Sequence, residues 1–169
     1  MIIRRARPED ALRIATIHVE AWRAAYRGII PDEYLGSLSI EERHAAWQQL
    51  LEAGHPLTWV AEERDIALGW ISAGASRDAD ASQSTGEIWA VYIDPGHWGE
   101  GIGCALCNAA EQELRKQEFT EVTLWVLKDN QRALGFYRSN GFARDACDDR
   151  IIERGGKELR EVRLRKQFL

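Results

Sequence analysis

Tyr92-Ile-Asp-Pro-Gly-His-Trp-Gly-Glu-Gly-Ile-Gly103, running straight into Cys104-Ala-Leu-Cys107, is the stretch whose reading decides the fold. Before it stands an apolar β-type run, Ile88-Trp-Ala-Val-Tyr-Ile93, and after it apolar residues recur at Ile102, Leu106, Ala110 and Leu114, the spacing of one helix face. Strand, glycine-rich turn and helix N-terminus together make a cradle for a phosphate group. Glycine reaches backbone angles other residues resist and lets the main chain approach a ligand closely. The first unpaired helix N–H groups and the positive end of the helix dipole then face the anion. A Walker A loop would need Lys followed by Ser or Thr after its last glycine, and Cys104-Ala105 stand there instead. A Gly-x-Gly-x-x-Gly fingerprint fails from Gly99, whose sixth position is Cys104, and from Gly101, whose sixth position is Leu106. A turn that merely joins strand to helix is the alternative on the loop alone.

Trp98-Gly-Glu-Gly101-Ile-Gly103 resembles the acyl-CoA pyrophosphate loop of the GNAT N-acetyltransferase superfamily, Arg/Gln-x-x-Gly-x-Gly/Ala. The glycines match, whereas Trp98 stands where the pattern has Arg or Gln, so the backbone contacts carry over and that side-chain contact does not. A second segment resembles the superfamily's other signature, Asn-x-x-Ala-x-x-Phe-Tyr-x-x-x-Gly-Phe, with Asn130, Ala133, Phe136, Tyr137, Gly141 and Phe142 all in place. The stretch Ala21 to Pro31, with Glu42 to Trp47, further resembles a bacterial subgroup that includes polyamine acetyltransferases.

Outward from the loop, the pattern yields a strand at Ile2–Ala6 and a helix from Pro8 to Tyr26, with Pro8 near its start. Ser39 and Glu42 form a capping box opening a helix through Leu50. Leu57–Ala61 and Ile66–Ala73 read as a hairpin around Glu63-Arg-Asp65. Glu87–Ile93 and Glu121–Val126 read as strands, with a helix to about Glu118 between them and another from Gln131 to Asn140 ending at Gly141. Strand-like pieces follow near Phe142–Ala146 and Glu158–Arg165. The resemblance implies one α+β domain over residues 1–169, a mixed and mostly antiparallel central sheet flanked by helices.

The chain has 169 residues, 45% apolar and 29% charged, the proportions of a soluble globular protein with a sizeable core. No run approaches the roughly 18 apolar residues of a membrane span, and Met1-Ile-Ile-Arg-Arg turns to charge at once, unlike a signal peptide. A net charge of −5 disfavours nucleic acid and suits a cationic small molecule. Three cysteines, an odd count, argue for a reducing cytoplasm. Cys104 and Cys107 form a Cys-x-x-Cys, but no second Cys or His pair accompanies them, so the pair reads as helix filler and no metal is expected.

Amine acetylation needs a base to take the ammonium proton, donors for the oxyanion and a proton for the departing thiolate. Glu87 is a lone carboxylate in an apolar strand, and the resemblance implies the general base at that position; a strand-end glutamate reaching solvent is the alternative. Tyr137 is implied as general acid, against plain aromatic packing. The resemblance implies that acetyl-CoA, the co-substrate, meets the backbone at Val91 and Ile93, the loop Trp98, Gly99, Glu100, Gly101, Ile102, Gly103 and Cys104, and Asn130, which could equally cap a helix. Trp22, Tyr26 and Tyr92 are candidate walls of the acceptor pocket. The implied reaction is transfer to a primary amine of a small molecule by direct attack in a ternary complex, since neither Cys104 nor Cys107 is placed as a nucleophile. An acceptor on a protein N-terminus or lysine, and a non-catalytic acyl-CoA sensor, are the rivals. A homodimer is compatible with the resemblance.

Overall fold

The computed structural model describes residues 1–168; Leu169 lies outside the described residues. In chain order the elements are β1 (Ile2–Arg5), α1 (Ala11–Ala25), α2 (Asp32–Ser37), α3 (Ile40–Glu52), β2 (Leu57–Glu63), β3 (Ile66–Ala75), β4 (Thr85–Ile93), α4 (Ile102–Lys116), β5 (Glu121–Leu127), α5 (Gln131–Ser139), β6 (Ala143–Arg144), β7 (Arg150–Arg154) and β8 (Lys157–Gln167). The eight strands form one sheet in the order β1-β2-β3-β4-β5-β8-β6, with β7 paired to β8. All pairings are antiparallel except β4 with β5, which is parallel.

Local chemistry accounts for most boundaries. Ser39 caps α3 by accepting the Glu42 N–H. Arg64 and Asp65, both at positive φ (51° and 63°), make the two-residue turn joining β2 to β3. The first helix begins as a short 3-10 turn over Pro8–Asp10 and becomes α-helical only at Ala11. Two elements go beyond the sequence-based expectation. The six-residue α2 follows Pro31 with Asp32 and Glu33 in its first turn, and the β7–β8 hairpin turns on Gly155-Gly156, both at positive φ.

Helices cover both faces of the sheet. On one, Ile102, Leu106, Cys107, Ala110 and Leu114 of α4 pack with Leu134 and Tyr137 of α5 against Ile71, Ile88, Val122 and Leu124. On the other, Ala11, Ile14, Ala15 and Ile17 of α1 and Trp47 of α3 pack on Val60 and Trp70. Each buried aliphatic side chain is worth about 1.5–3 kcal/mol of apolar burial. A smaller cluster joins Ile30 and Leu35, around α2, to Leu127 and Leu159, with Trp22, Tyr26 and Ile152 against it.

Two irregularities shape the centre of the sheet. Strands β4 and β5 share only three rungs, Thr85–Glu121, Gly86–Val122 and Glu87–Thr123, and part beyond them. In β4, Ser72 faces Ala90 while Ala73 faces Ile88, so Trp89 is an extra, bulged residue. The bulge explains how Ile88 and Val91, three apart, both join the α4 side of the core.

Candidate active site

Where β4 and β5 part, the sheet opens into a cavity of about 460 Å³. Its lining includes Ile88 to Ile93 from β4, Leu124 to Leu127 from β5, the glycine loop with the start of α4, Asn130, Arg132, Ala133, Phe136 and Tyr137 around α5, Trp22 and Tyr26 at the end of α1, and Arg150, Ile152, Arg154 and Glu161 from the β7–β8 hairpin. A cleft at the carboxyl ends of parallel strands is where open sheets bind ligands. Of the residues expected from the sequence, Glu87, Tyr137, Val91, Ile93, Trp98, Gly99, Gly101, Ile102, Gly103, Cys104, Asn130, Trp22, Tyr26 and Tyr92 all line it. Glu100 does not: it is exposed, its carboxylate 3.0 Å from His97 Nδ1.

The loop end is built for an anion. Gly99 and Gly101 hold φ of +88° and +82°, a left-handed conformation natural to glycine, and Gly101 is the N-cap of α4. Gly103 matters for another reason: a Cβ there would lie 3.0 Å from the Phe136 ring, so its absence lets α4 and α5 approach closely without displacing that ring. Asp94 fixes the entry to the loop by accepting the Gly96 N–H at 2.9 Å and pairing with Arg13 of α1. Burial works to raise the Asp94 pKa, and these two donors outweigh it, holding the carboxyl below its ordinary range. Trp98 donates its indole N–H to the Ile93 carbonyl at 3.0 Å, and the Arg132 guanidinium lies 3.8 Å over its ring. Arg132 has no carboxylate partner among the described residues. A cation therefore stands at the loop although position 98 is not basic.

The walls present backbone and amide groups. The Asp94 N–H donates to Leu68 at 2.8 Å, so by antiparallel alternation Tyr92 and Ala90 bond toward β3, while Val91 and Ile93 turn their polar groups to the cleft. Trp98 already occupies the Ile93 carbonyl. Asn130 is buried and caps α5 by accepting the Ala133 N–H at 3.1 Å, which leaves its amide nitrogen without a partner among the described residues. Capping is thus present, and a donor remains for a ligand.

Tyr137 is 9% exposed, with edge-on contacts to Phe136 and Phe142 at 5.1 and 5.7 Å. Burial pushes its phenol well above the ordinary value, so it stays protonated through neutral pH. Glu87 does not reach solvent, being 2% exposed. Arg77 meets it, donating its backbone N–H (2.9 Å) and Nε (3.1 Å) to one carboxylate oxygen and Nη2 (2.5 Å) to the other. Arg77 itself is 55% exposed and lies 4.5 Å over the Trp89 ring. Opposite, Glu161 uses one oxygen for Arg150, at 2.8 Å from Nε and 2.6 Å from Nη2, and its other oxygen is unbonded among the described residues. Tyr26 and Tyr92 are both raised by burial.

Arg77, Arg132, Arg150, Arg154 and Glu161 were not legible as site residues. Gly155-Gly156, a two-residue turn between strand-like runs, is the one local signal that could have found the hairpin carrying three of them. Among the described residues no group of three or more His, Cys, Asp or Glu could hold a metal ion.

Comparison with known proteins agrees with this architecture. Residues 13–142 match the Acetyltransferase (GNAT) family. An uncharacterized N-acetyltransferase, YuaI, of Bacillus subtilis is 32% identical over 96% of this chain and 90% of its own length. The L-amino acid N-acyltransferase MnaT of Escherichia coli is 30% identical over 94% of this chain and 89% of its own. Among solved structures, a PaiA N-acetyltransferase from Thermoplasma acidophilum in complex with coenzyme A superposes with a TM-score of 0.79 at 23% identity, covering 99% of this chain and 98% of that one.

Proposed function

This chain belongs to the GNAT acetyltransferase family, and from that premise we propose that its single domain, residues 1–169, transfers the acetyl group of acetyl-CoA to a primary amine of a small molecule by direct attack in a ternary complex. The observation that carries the reading is the parting of β4 and β5 after three rungs, which leaves strand edges unpaired between a glycine loop and a buried tyrosine. The residues fit the co-substrate. The N–H groups of Ile102, Gly103 and Cys104 opening α4, with Arg132, would hold the pyrophosphate. Val91, the Ile93 N–H and the Asn130 amide would pair with the pantetheine arm. When bound, acetyl-CoA supplies an activated thioester carbonyl.

The chain's own groups do the rest. Tyr137 keeps a proton for the departing sulfur, and a strand N–H facing the cleft donates to the carbonyl oxygen. Glu87 takes the amine proton through water, in competition with the Arg77 donors already on its oxygens. Glu161, with a free oxygen, is the second candidate. Direct transfer is supported by Cys107, a buried thiol that burial pushes up to about 12, which leaves it no thiolate for a covalent route. A small acceptor is supported by the cavity volume of about 460 Å³, which co-substrate and acceptor must share. MnaT, named for amino acids, is a relative consistent with that size. Unbridged thiols at Cys104, Cys107 and Cys147 support a reducing, cytoplasmic setting. Among the described residues no helix is long and apolar enough to cross a membrane.

Calorimetry with acetyl-CoA, paired with thiol release in the presence of an amine panel, tests the proposal. Arg132→Ala should weaken acetyl-CoA binding by about 10-fold, an effect that shrinks with added salt. Unchanged affinity would remove Arg132 from the phosphate site, and no binding by the native protein would end the reading.

A further inference from the structure

Charge at the acceptor end specifies the amine further. Away from the phosphate loop, the charged residues of the cavity lining are Arg77, Glu87, Arg150, Arg154 and Glu161. Both carboxylates are already matched, Glu87 by Arg77 and Glu161 by Arg150. Arg154 is not. Its only side-chain hydrogen bond among the described residues runs from Nη1 to the carbonyl of its neighbour Glu153, at 2.7 Å, and no carboxylate pairs with it. Three arginines against two glutamates leave a surplus of one positive charge.

Arg154 is also held in place. It ends β7 opposite Lys157, immediately before the Gly155-Gly156 turn. That turn packs on Pro31 and Tyr34, where a Cβ on Gly155 would come within 2.8 Å of the Tyr34 side chain. Arg150, on the same strand, lies 4.5 Å over the Trp125 ring, which fixes the pairing beside it. A multiply cationic acceptor would bring further ammonium groups against this surplus. An acceptor with an acidic group beside its amine would neutralise it, and a guanidinium offers a carboxylate two parallel donors.

We infer that the acceptor is a small zwitterion of the amino-acid type, whose carboxylate is bound by Arg154. The inference rests on the proposed acetyl transfer and narrows its substrate. It favours a carboxylated acceptor over the polyamines that the resemblance of Ala21–Pro31 and Glu42–Trp47 implies.

The experiment first measures acetyl-CoA binding by calorimetry. It then compares kcat/KM for thiol release with a panel of L-amino acids, their amides and spermidine, each rate corrected for the fraction of amine that is unprotonated. At least one amino acid should exceed its own amide and spermidine by about 10-fold or more, the factor expected of one charged hydrogen-bonded pair. Arg154→Gln should raise KM for that acid by a similar factor, leave kcat and acetyl-CoA affinity nearly unchanged and close the gap between acid and amide. Arg154→Lys should restore part of the gap. Turnover of amides or spermidine at least as fast as the acids, or an acid-to-amide ratio untouched by Arg154→Gln, overturns the inference and leaves acetyl transfer standing. Absence of acetyl-CoA binding overturns both.

Discussion

Tyr137 keeps its proton because its ring is packed between Phe136 and Phe142 while its residue still borders the cavity. The burial that raises its pKa also keeps its titration from limiting activity on the alkaline side. Tyr137→Phe deletes only the hydroxyl and retains the ring contacts, so turnover should fall by about 100-fold with acetyl-CoA affinity little changed; native turnover in that variant would make Tyr137 a packing residue. The base is a harder assignment, since Glu87 and Glu161 both stand at the cavity and each is paired with an arginine. Glu87→Gln and Glu161→Gln preserve shape and remove basicity. The proposed assignment predicts that only Glu87→Gln loses rate at neutral pH and regains it at high pH, where the amine arrives neutral. If Glu87→Gln keeps its neutral-pH rate and Glu161→Gln loses it, the role moves to the hairpin.

At the scale of elements, the glycine loop and α4 act together. Gly99 and Gly101 supply left-handed turns, and Gly103 lets the helix lie against Phe136 of α5. Gly103→Val should force those helices apart, costing about 1–3 kcal/mol in stability by overpacking and weakening acetyl-CoA binding by more than 10-fold. Thermal melts and calorimetry on one preparation check both, and native behaviour in both would show that the close approach is dispensable. This half of the site was legible because its requirements are local: strand, glycines, and a helix with apolar residues four apart. Asn130 and Tyr137 were legible for the same reason, lying in one contiguous signature. On the acceptor side, Trp22, Tyr26 and Tyr92 were legible as aromatic walls, but the charged hairpin was not. Strand β7, Arg150-Ile-Ile-Glu-Arg154, is short, charged at both ends and carries two adjacent isoleucines, so its sequence shows no period-two alternation. Helix α2 has only six residues. The Arg77–Glu87 and Arg132–Trp98 pairs arise only when β4 meets its preceding loop and α5 meets the phosphate loop, contacts no spacing within one segment announces.

For the whole molecule, the cleft is an interruption in the sheet, and the two halves must be held where they still meet. Arg163 of β8, only 4% exposed, does this from one side by binding Asp78 (3.1 Å) and Asp80 (2.7 Å) before β4 and Asp145 (2.6 Å) beyond α5. Glu121 of β5 extends the same network, accepting from Thr85 of β4 at 2.7 Å and from Arg165 of β8 at 2.8 Å. Burial opposes ionisation at Asp145 and Glu121. Arg165 and Arg163 at the first, and Thr85, Arg165 and Gln167 at the second, outweigh it and hold both pKa values down. Their stabilisation is therefore complete above the ordinary carboxylate range of about 4 and is lost as pH falls below it. His18 titrates in a different window. It stacks on Tyr92 at 5.1 Å with Trp22 and Trp70 around it, and burial, aided by Arg43, lowers its pKa to about 4. An unfolded histidine takes its proton near pH 6.5. Between pH 6.5 and about 4 the unfolded chain thus binds the extra proton, and stability should decline across that interval before the carboxylates begin to titrate. Melting temperatures of the native protein should hold level above pH 6.5, fall in a first step toward pH 4 and fall again below it. His18→Phe, which keeps a ring in the stack and cannot be protonated, should abolish the first step and leave the second. A first step unchanged in that variant would assign it to another group and show His18 to be solvated before the fold opens.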